Sequence, residues 1–278
     1  MSGTPVLAGA GLTHSFGGAD VLRDVDIALQ PGECVAVMGP SGSGKSTLLH
    51  LLGGLLTPDA GEVWLAGRRI DRLPERRRAA LRLANVGFVF QFGDLIPELT
   101  VVENVELPLR LNGAAPKEAR RRALAALERL DVAAHAGKRL REVSGGQAQR
   151  AAVARALAGE PPVILADEPT GSLDTVTGEL VMEALVSAAR EAGTAVLTVT
   201  HELKVAAWAE RDVLLRDGRV VGASAPPPRP EAPLAPAGGA VQKSRRALRG
   251  SAYADHDAIM RTAVNPVGHY GAEGARRG

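Results

Sequence analysis

The sequence predicts an α/β fold built on a largely parallel β-sheet, and three observations point to it. Residues 1 to about 223 alternate short β-branched runs with helix-period patterns, as strands joined by crossover helices do. The run Val163-Ile164-Leu165-Ala166 is apolar at every position, which suits a strand covered by helices on both faces. A glycine-rich turn over residues 39–47 lies between the apolar run Cys34–Met38 and a helical pattern, the place where open α/β sheets carry their sites.

The elements follow in order. Val6–Leu12, Val25–Leu29 and Cys34–Met38 read as strands, with Gln30-Pro31-Gly32-Glu33 turning between the last two. A helix runs from Lys45 to about Leu52, and Gly61–Leu65 reads as a further strand. Arg76-Arg77-Arg78 falls inside a helical pattern after Pro74 and reads as a solvated helix face. Val86–Gln91 is a strand; Thr100 caps a helix carrying Val101, Val102, Val105 and Leu109; Pro116 starts an amphipathic helix to about Leu130. A strand at Val163–Ala166, a helix over about 175–192, a strand at Ala195–Thr200 and a hairpin at 213–221 complete the body.

From Ala225 the composition turns to Pro, Ala, Gly and Arg. Such a stretch cannot bury enough apolar surface to offset its ordering entropy, so residues 224–278 are expected to be disordered, with a short helix around 242–249. That tail holds eight Lys/Arg against four Asp/Glu, a charge of +4, and leaves the first 223 residues at −2. A nearly neutral body argues against a nucleic-acid partner. No apolar stretch is long enough to span a bilayer, and no signal peptide is expected. The single cysteine, Cys34, excludes an internal disulfide and fits a reducing cytosol.

Chemistry is most concentrated in Gly39-Pro40-Ser41-Gly42-Ser43-Gly44-Lys45-Ser46-Thr47, which fills the pattern G-x-x-x-x-G-K-[ST]. Glycines let backbone N–H groups converge on phosphate oxygens, and Lys45 supplies a point charge for the β- and γ-phosphates. The Ser46 hydroxyl is a Mg²⁺ ligand by type, and the helix starting here aims its positive end at the anion. The chain is therefore expected to bind a nucleoside triphosphate. About 120 residues on, the apolar strand ends in Asp167-Glu168. Asp167 at that sheet edge suits Mg²⁺, and Glu168 suits orienting and deprotonating a water aimed at the γ-phosphate.

Val143-Ser144-Gly145-Gly146-Gln147-Ala148-Gln149-Arg150 resembles the signature sequence of ATP-binding-cassette (ABC) ATPases. Gln91 resembles the Q-loop glutamine, Ser172-Leu173-Asp174 the D-loop, and His201 the switch histidine, across roughly residues 6–221. The resemblance implies a RecA-like parallel-sheet core, an N-terminal antiparallel β subdomain and a helical subdomain at about 92–143. It implies ATP as ligand, Mg²⁺ held by Ser46, Asp167 and Gln91, and a catalytic set of Glu168, His201 and Gln91. Phe16 takes the place of the aromatic that stacks on adenine. Both tyrosines, Tyr253 and Tyr270, lie in the tail. Ser144, Gly145, Gly146, Gln147 and Asp174 are implied to meet the nucleotide held by a second copy, so the family pattern is a dimer closed on ATP.

The segment 92–109 further resembles the subgroup serving lipoprotein-release and macrolide-exporter-type permeases. A separate membrane permease is the expected partner, with the chain peripheral on the cytoplasmic face and driving export or membrane extraction. The alternative is a regulatory ATPase of a cell-division-type membrane complex, which transmits a conformational change without transport.

Overall fold

A computed structural model describes residues 4–91 and 94–223. The tail at 224–278, with its expected disorder and short helix, lies outside the described residues. In chain order the elements begin β1 (Leu7–Phe16), β2 (Ala19–Leu29), β3 (Cys34–Met38), α1 (Lys45–Leu52), β4 (Ala60–Leu65), β5 (Arg68–Arg69) and α2 (Glu75–Asn85). Then follow β6 (Val86–Val89), α3 (Val101–Leu111), α4 (Pro116–Arg129) and α5 (Gly145–Leu157). The last are β7 (Val163–Asp167), α6 (Thr175–Ala192), β8 (Ala195–Thr200), α7 (Leu203–Ala206), β9 (Arg211–Arg216) and β10 (Arg219–Ala223).

Two sheets result. One is four-stranded and antiparallel, in the order β2-β1-β4-β5; the other is six-stranded, in the order β10-β9-β3-β8-β7-β6. Within the second, β9, β3, β8, β7 and β6 run parallel and β10 turns back along the edge. Among the described residues no helix is long and apolar enough to cross a membrane.

Helix α1 lies between the sheets. Its Leu48, Leu49, Leu51 and Leu52 are fully buried in one cluster with Leu7, Leu12 and Val63 on one side and Val35, Leu165 and Leu197 on the other. At roughly 1.5–3 kcal/mol per buried leucine, an upper estimate, these four contribute on the order of 6–12 kcal/mol. That anchors the helix whose first turn carries the glycine-rich loop. The opposite face of the parallel sheet is covered by α5, α6 and α7, and α3 and α4 pack on α5. Along β7 the side chains alternate between the two cores, Val163 and Leu165 toward α1, Ile164 and Ala166 toward α5 and α6. An all-apolar strand is what two covered faces require.

Several boundaries differ from the sequence reading. β1 and β2 continue past their apolar halves to meet at Gly17-Gly18, through Thr13, His14 and Ser15. Cross-strand pairing sustains these polar positions, which periodicity alone undervalued. β6 ends at Val89 rather than Gln91, because the Phe90 carbonyl accepts from the buried Gln149 side chain at 2.9 Å. The final hairpin begins at Arg211, and the short α7 follows His201, where no helix was expected. The other expected helices and β3, β7 and β8 stand within a residue or two of their expected ends.

Candidate functional site

The carboxyl ends of β3, β7 and β8 lie side by side, with Met38 paired to Thr200 and Asp167 to Val199. Everything expected of a phosphate site collects there. A cavity of about 860 Å³ is lined by Phe16, Val21, Pro40, Ser41, Gly42, Gly44, Lys45, Ser46, Thr47, Gln91, Glu168 and His201. Such a volume lies within the range of ligand pockets.

The loop from Gly39 leads into α1 with Gly44 as its N-cap, at φ 101° and without a side-chain cap. The first-turn N–H groups are thus left for an external acceptor. Only glycine serves at this cap: φ is left-handed, and a Cβ there would lie 2.8 Å from the Val21 carbonyl oxygen. Lys45 is buried, and its Nζ donates to the Gly39 and Pro40 carbonyls at 2.9 and 3.0 Å. An ammonium carries three hydrogens, so one donor remains beyond these two.

Ser46 Oγ donates to Asp167 Oδ1 at 3.1 Å, joining the loop to the end of β7. Burial pushes the Asp167 carboxyl above its ordinary range, and the Ser46 hydrogen bond pulls the other way. A cation at this point would relieve that burial cost. Two hard oxygen donors on separate elements fit Mg²⁺ by type.

Glu168 follows at φ 45°, a left-handed conformation that costs a non-glycine residue on the order of 1–2 kcal/mol. Its N–H donates to the Val199 carbonyl at 3.0 Å, which holds the strained turn. Strain of this kind gathers at functional sites. Thr200 Oγ1 donates to Glu168 Oε2 at 3.2 Å, and His201 Nδ1 lies 2.7 Å from Oε1. Each carboxylate oxygen keeps a further lone pair, and Glu168 lines the cavity.

Gln91 lies two residues beyond β6 and lines the cavity; its carbonyl accepts from Ser172 Oγ at 2.9 Å. Phe16 ends β1 with half its surface exposed and faces the same space, so it is not a core phenylalanine. Ser43 is buried beneath the loop.

Ser144, Gly145, Gly146, Gln147 and Asp174 are not brought to this cavity within one chain. Ser144 is the N-cap of α5, where its Oγ accepts from Gln147 N at 3.3 Å and its N donates to Gln147 Oε1 at 3.0 Å. Gln147 thus acts on the helix end. Gly146 allows α5 to start against α6, since a Cβ there would lie 2.3 Å from Thr177 Cγ2. Asp174 caps α6 by accepting from Thr177 N at 3.0 Å, and the Thr177 hydrogen bonds hold its carboxyl below the usual range.

Three contributors escaped the sequence reading. Val21 is the extra residue of a β-bulge, since His14 pairs with Leu22 and Ser15 with Asp20, and the bulge brings Val21 to the cavity wall. Thr200 orients Glu168. Gln149, 3% exposed, donates to the carbonyls of Phe90 and Pro169 at 2.9 and 2.8 Å, joining α5 to the segments before Gln91 and after Glu168. A glutamine five residues after Ser144 on a buried helix face was the available signal.

Comparison with known proteins places the chain among ATP-binding cassettes. A family model described as ABC transporter matches residues 22–171. The lipoprotein-releasing system ATP-binding protein LolD 2 of Caulobacter vibrioides is 46% identical over 220 residues, covering 78% of this chain and 96% of that protein. LolD of Ruegeria pomeroyi is 47% identical, over 79% of this chain and 92% of its own. Among solved structures, the dimeric ATP-binding cassette MJ0796 bound to ADP and Pi aligns with a TM-score of 0.72 and 40% identity, covering 78% of this chain and 97% of its own. The cassette cbiO1 of Clostridium perfringens, part of the transporter complex cbiONQ, aligns with a TM-score of 0.72 at 28% identity.

Proposed function

The chain belongs to the ABC transporter family, as an ATP-binding and ATP-hydrolysing subunit that works with a separate membrane component, and from that premise we propose how its residues divide the work. The backbone from Gly39 to Thr47 and the Lys45 ammonium hold the phosphates of ATP. Ser46, Asp167 and Gln91 would hold Mg²⁺, which would supply neutralisation of the phosphate charge. Glu168 accepts the proton of the attacking water, aimed by Thr200 and His201. Phe16 stacks on adenine, a contact worth about 1–3 kcal/mol. Ser144, Gly145 and Gly146 of a second copy, with Asp174, complete the far side, so ATP closes a dimer and hydrolysis reopens it.

The carrying observation is the meeting of Ser46 with Asp167 and of Glu168 with His201 around the Lys45 cavity. Calorimetry tests it. Lys45→Ala is expected to lose ATP affinity at any magnesium concentration, whereas Asp167→Asn is expected to lose only the magnesium-dependent part. Wild-type behaviour in both variants would overturn the assignment.

The permease contact falls on a second cavity of about 460 Å³, between α2, β6 and the ends of α3 and α5. Leu83, Phe88, Leu107 and Leu111 make it apolar, and Phe90 lines it while the next residue, Gln91, lines the nucleotide cavity. One residue step thus separates the membrane partner from the ATP. We read the direction as export or extraction from the membrane, with this subunit peripheral on the cytoplasmic face; relatives named for a lipoprotein-releasing system support that reading. Reconstitution with the permease that co-purifies with the full chain tests this, and ATP-dependent release of lipoprotein from vesicles is the expected result. ATP turnover without release favours the regulatory alternative.

A further inference from the structure

His14 and Phe16 stand two residues apart near the end of β1, and their rings meet edge to face, with centroids 4.7 Å apart and planes at 89°. Their environments differ: His14 is 9% exposed and Phe16 51%. Among the described residues neither imidazole nitrogen has a hydrogen-bond partner, and Asp59 Oδ1 stands 3.7 Å from Nδ1, beyond hydrogen-bond reach. A buried polar ring with idle nitrogens costs free energy, so its position asks for a compensating gain. The gain is the ring contact itself.

The backbone around His14 is fixed from outside the hairpin. Asp59 N donates to the Thr13 carbonyl at 2.9 Å, and Asp59 Oδ2 accepts from Ser15 N at 2.8 Å, so one residue holds both neighbours of His14. On the partner strand the bulge at Val21 begins directly across from His14. The imidazole is therefore a rigid buried support, and the ring it supports is the half-exposed wall of the nucleotide cavity. An exposed phenylalanine with no such support would have to be ordered when a base arrives, and that ordering would weaken binding.

We propose that His14 is a positioning residue for nucleobase recognition, its buried ring holding Phe16 in the pose that accepts the adenine. The inference rests on the reading that Phe16 stacks on the base. His14 touches neither phosphate nor reacting atoms, so its effect belongs to base affinity alone. Removing it raises KM for ATP and leaves kcat at saturation unchanged.

The test compares ATP with inorganic tripolyphosphate, which has the charge but no base, by calorimetry on the full chain. His14→Ala is expected to weaken ATP about 2–10-fold, the range of an aromatic pair, and to leave tripolyphosphate unchanged. His14→Phe, which restores an aromatic ring, is expected to recover ATP affinity. In the Phe16→Ala background, His14→Ala is expected to add nothing. Tripolyphosphate binding doubles as the check on folding; where the alanine variant does not fold, His14→Leu replaces it with the same expected result. Wild-type ATP affinity in the His14 variant, equal losses for both ligands, or full additivity with Phe16→Ala would overturn the proposal. If Phe16→Ala leaves the preference for ATP over tripolyphosphate intact, the stacking reading itself fails, an outcome distinct from failure at His14.

Discussion

His201 Nδ1 lies 2.7 Å from Glu168 Oε1, and the other oxygen of that carboxylate accepts from the buried Thr200 hydroxyl at 3.2 Å. Two consecutive residues at the end of β8 thus grip both oxygens of the residue that follows β7. The Glu168 side chain is 16% exposed and that of His201 61%. A carboxylate held at both oxygens on a strained backbone is aimed before any ligand arrives, which is what a general base requires.

Glu168→Gln keeps the shape but removes the proton acceptor, and its amide offers one accepting oxygen where the carboxylate has two. Turnover is expected to fall about 10²–10⁴-fold, while ATP binding persists. Phosphate release measures the first effect, and size-exclusion chromatography in ATP and Mg²⁺ should reveal a trapped dimer. A variant hydrolysing at the wild-type rate removes Glu168 from the role.

Thr200→Val is nearly isosteric and separates aiming from chemistry. It deletes the donor to Glu168 and also the acceptor of Glu202 N, a bond of 3.0 Å. Turnover is expected to drop about 5-fold, the worth of one net hydrogen bond, with ATP affinity unchanged. Steady-state kinetics should show the fall in kcat without a rise in KM.

Gln149→Leu leaves the Phe90 and Pro169 carbonyls without their donor. Each orphaned buried carbonyl costs about 1–3 kcal/mol, so the urea midpoint should fall clearly. Stimulation of ATPase activity by the permease should fall more than basal activity, because the lost bonds join α5 to the segment leading into Gln91.

Leu111, 64% exposed at the end of α3, lines the apolar groove. Leu111→Glu puts a charge where an apolar partner would sit. Co-purification of the permease is expected to be lost, with melting temperature and basal ATP turnover unchanged. Retained association would move the contact elsewhere.

Cys34 is buried on β3, and burial pushes its thiol up to about 11. Alkylation at pH 8 should be slow in the native protein and fast in denaturant. The folded state holds this proton more tightly than the unfolded chain, whose ordinary value is 9.0. The stabilising contribution is therefore complete below pH 9 and is lost as pH rises toward 11, a decline that Cys34→Ala should remove.

Phosphate recognition was legible because it is local. Gly44, Lys45 and Ser46 are consecutive, and the turn, the helix start and the charge need only each other. The apolar runs that became β3, β7 and β8 were equally plain, since two covered faces leave no polar position to confuse them. Polar strand ends were harder: Thr13, His14 and Ser15 are held in β1 by a partner strand and by Asp59, which local pattern does not contain. The same holds for Val21, whose place on the cavity wall comes from a bulge, a shift of one residue in pairing.

By itself, then, the sequence named the candidate groups for a triphosphate: a glycine-rich turn, a lysine, a hydroxyl, two carboxylates and a histidine, each beside a strand or helix it could name. Only the tertiary structure decided which of them meet. Ser46 reaches Asp167 across 121 positions, and Thr200 reaches Glu168 across 32, because parallel pairing sets the ends of β3, β8 and β7 in register at one edge. Parallel strands are joined by long crossovers, so partners on neighbouring strands lie far apart along the chain, and their contact is fixed by sheet order and register rather than by any local run of residues.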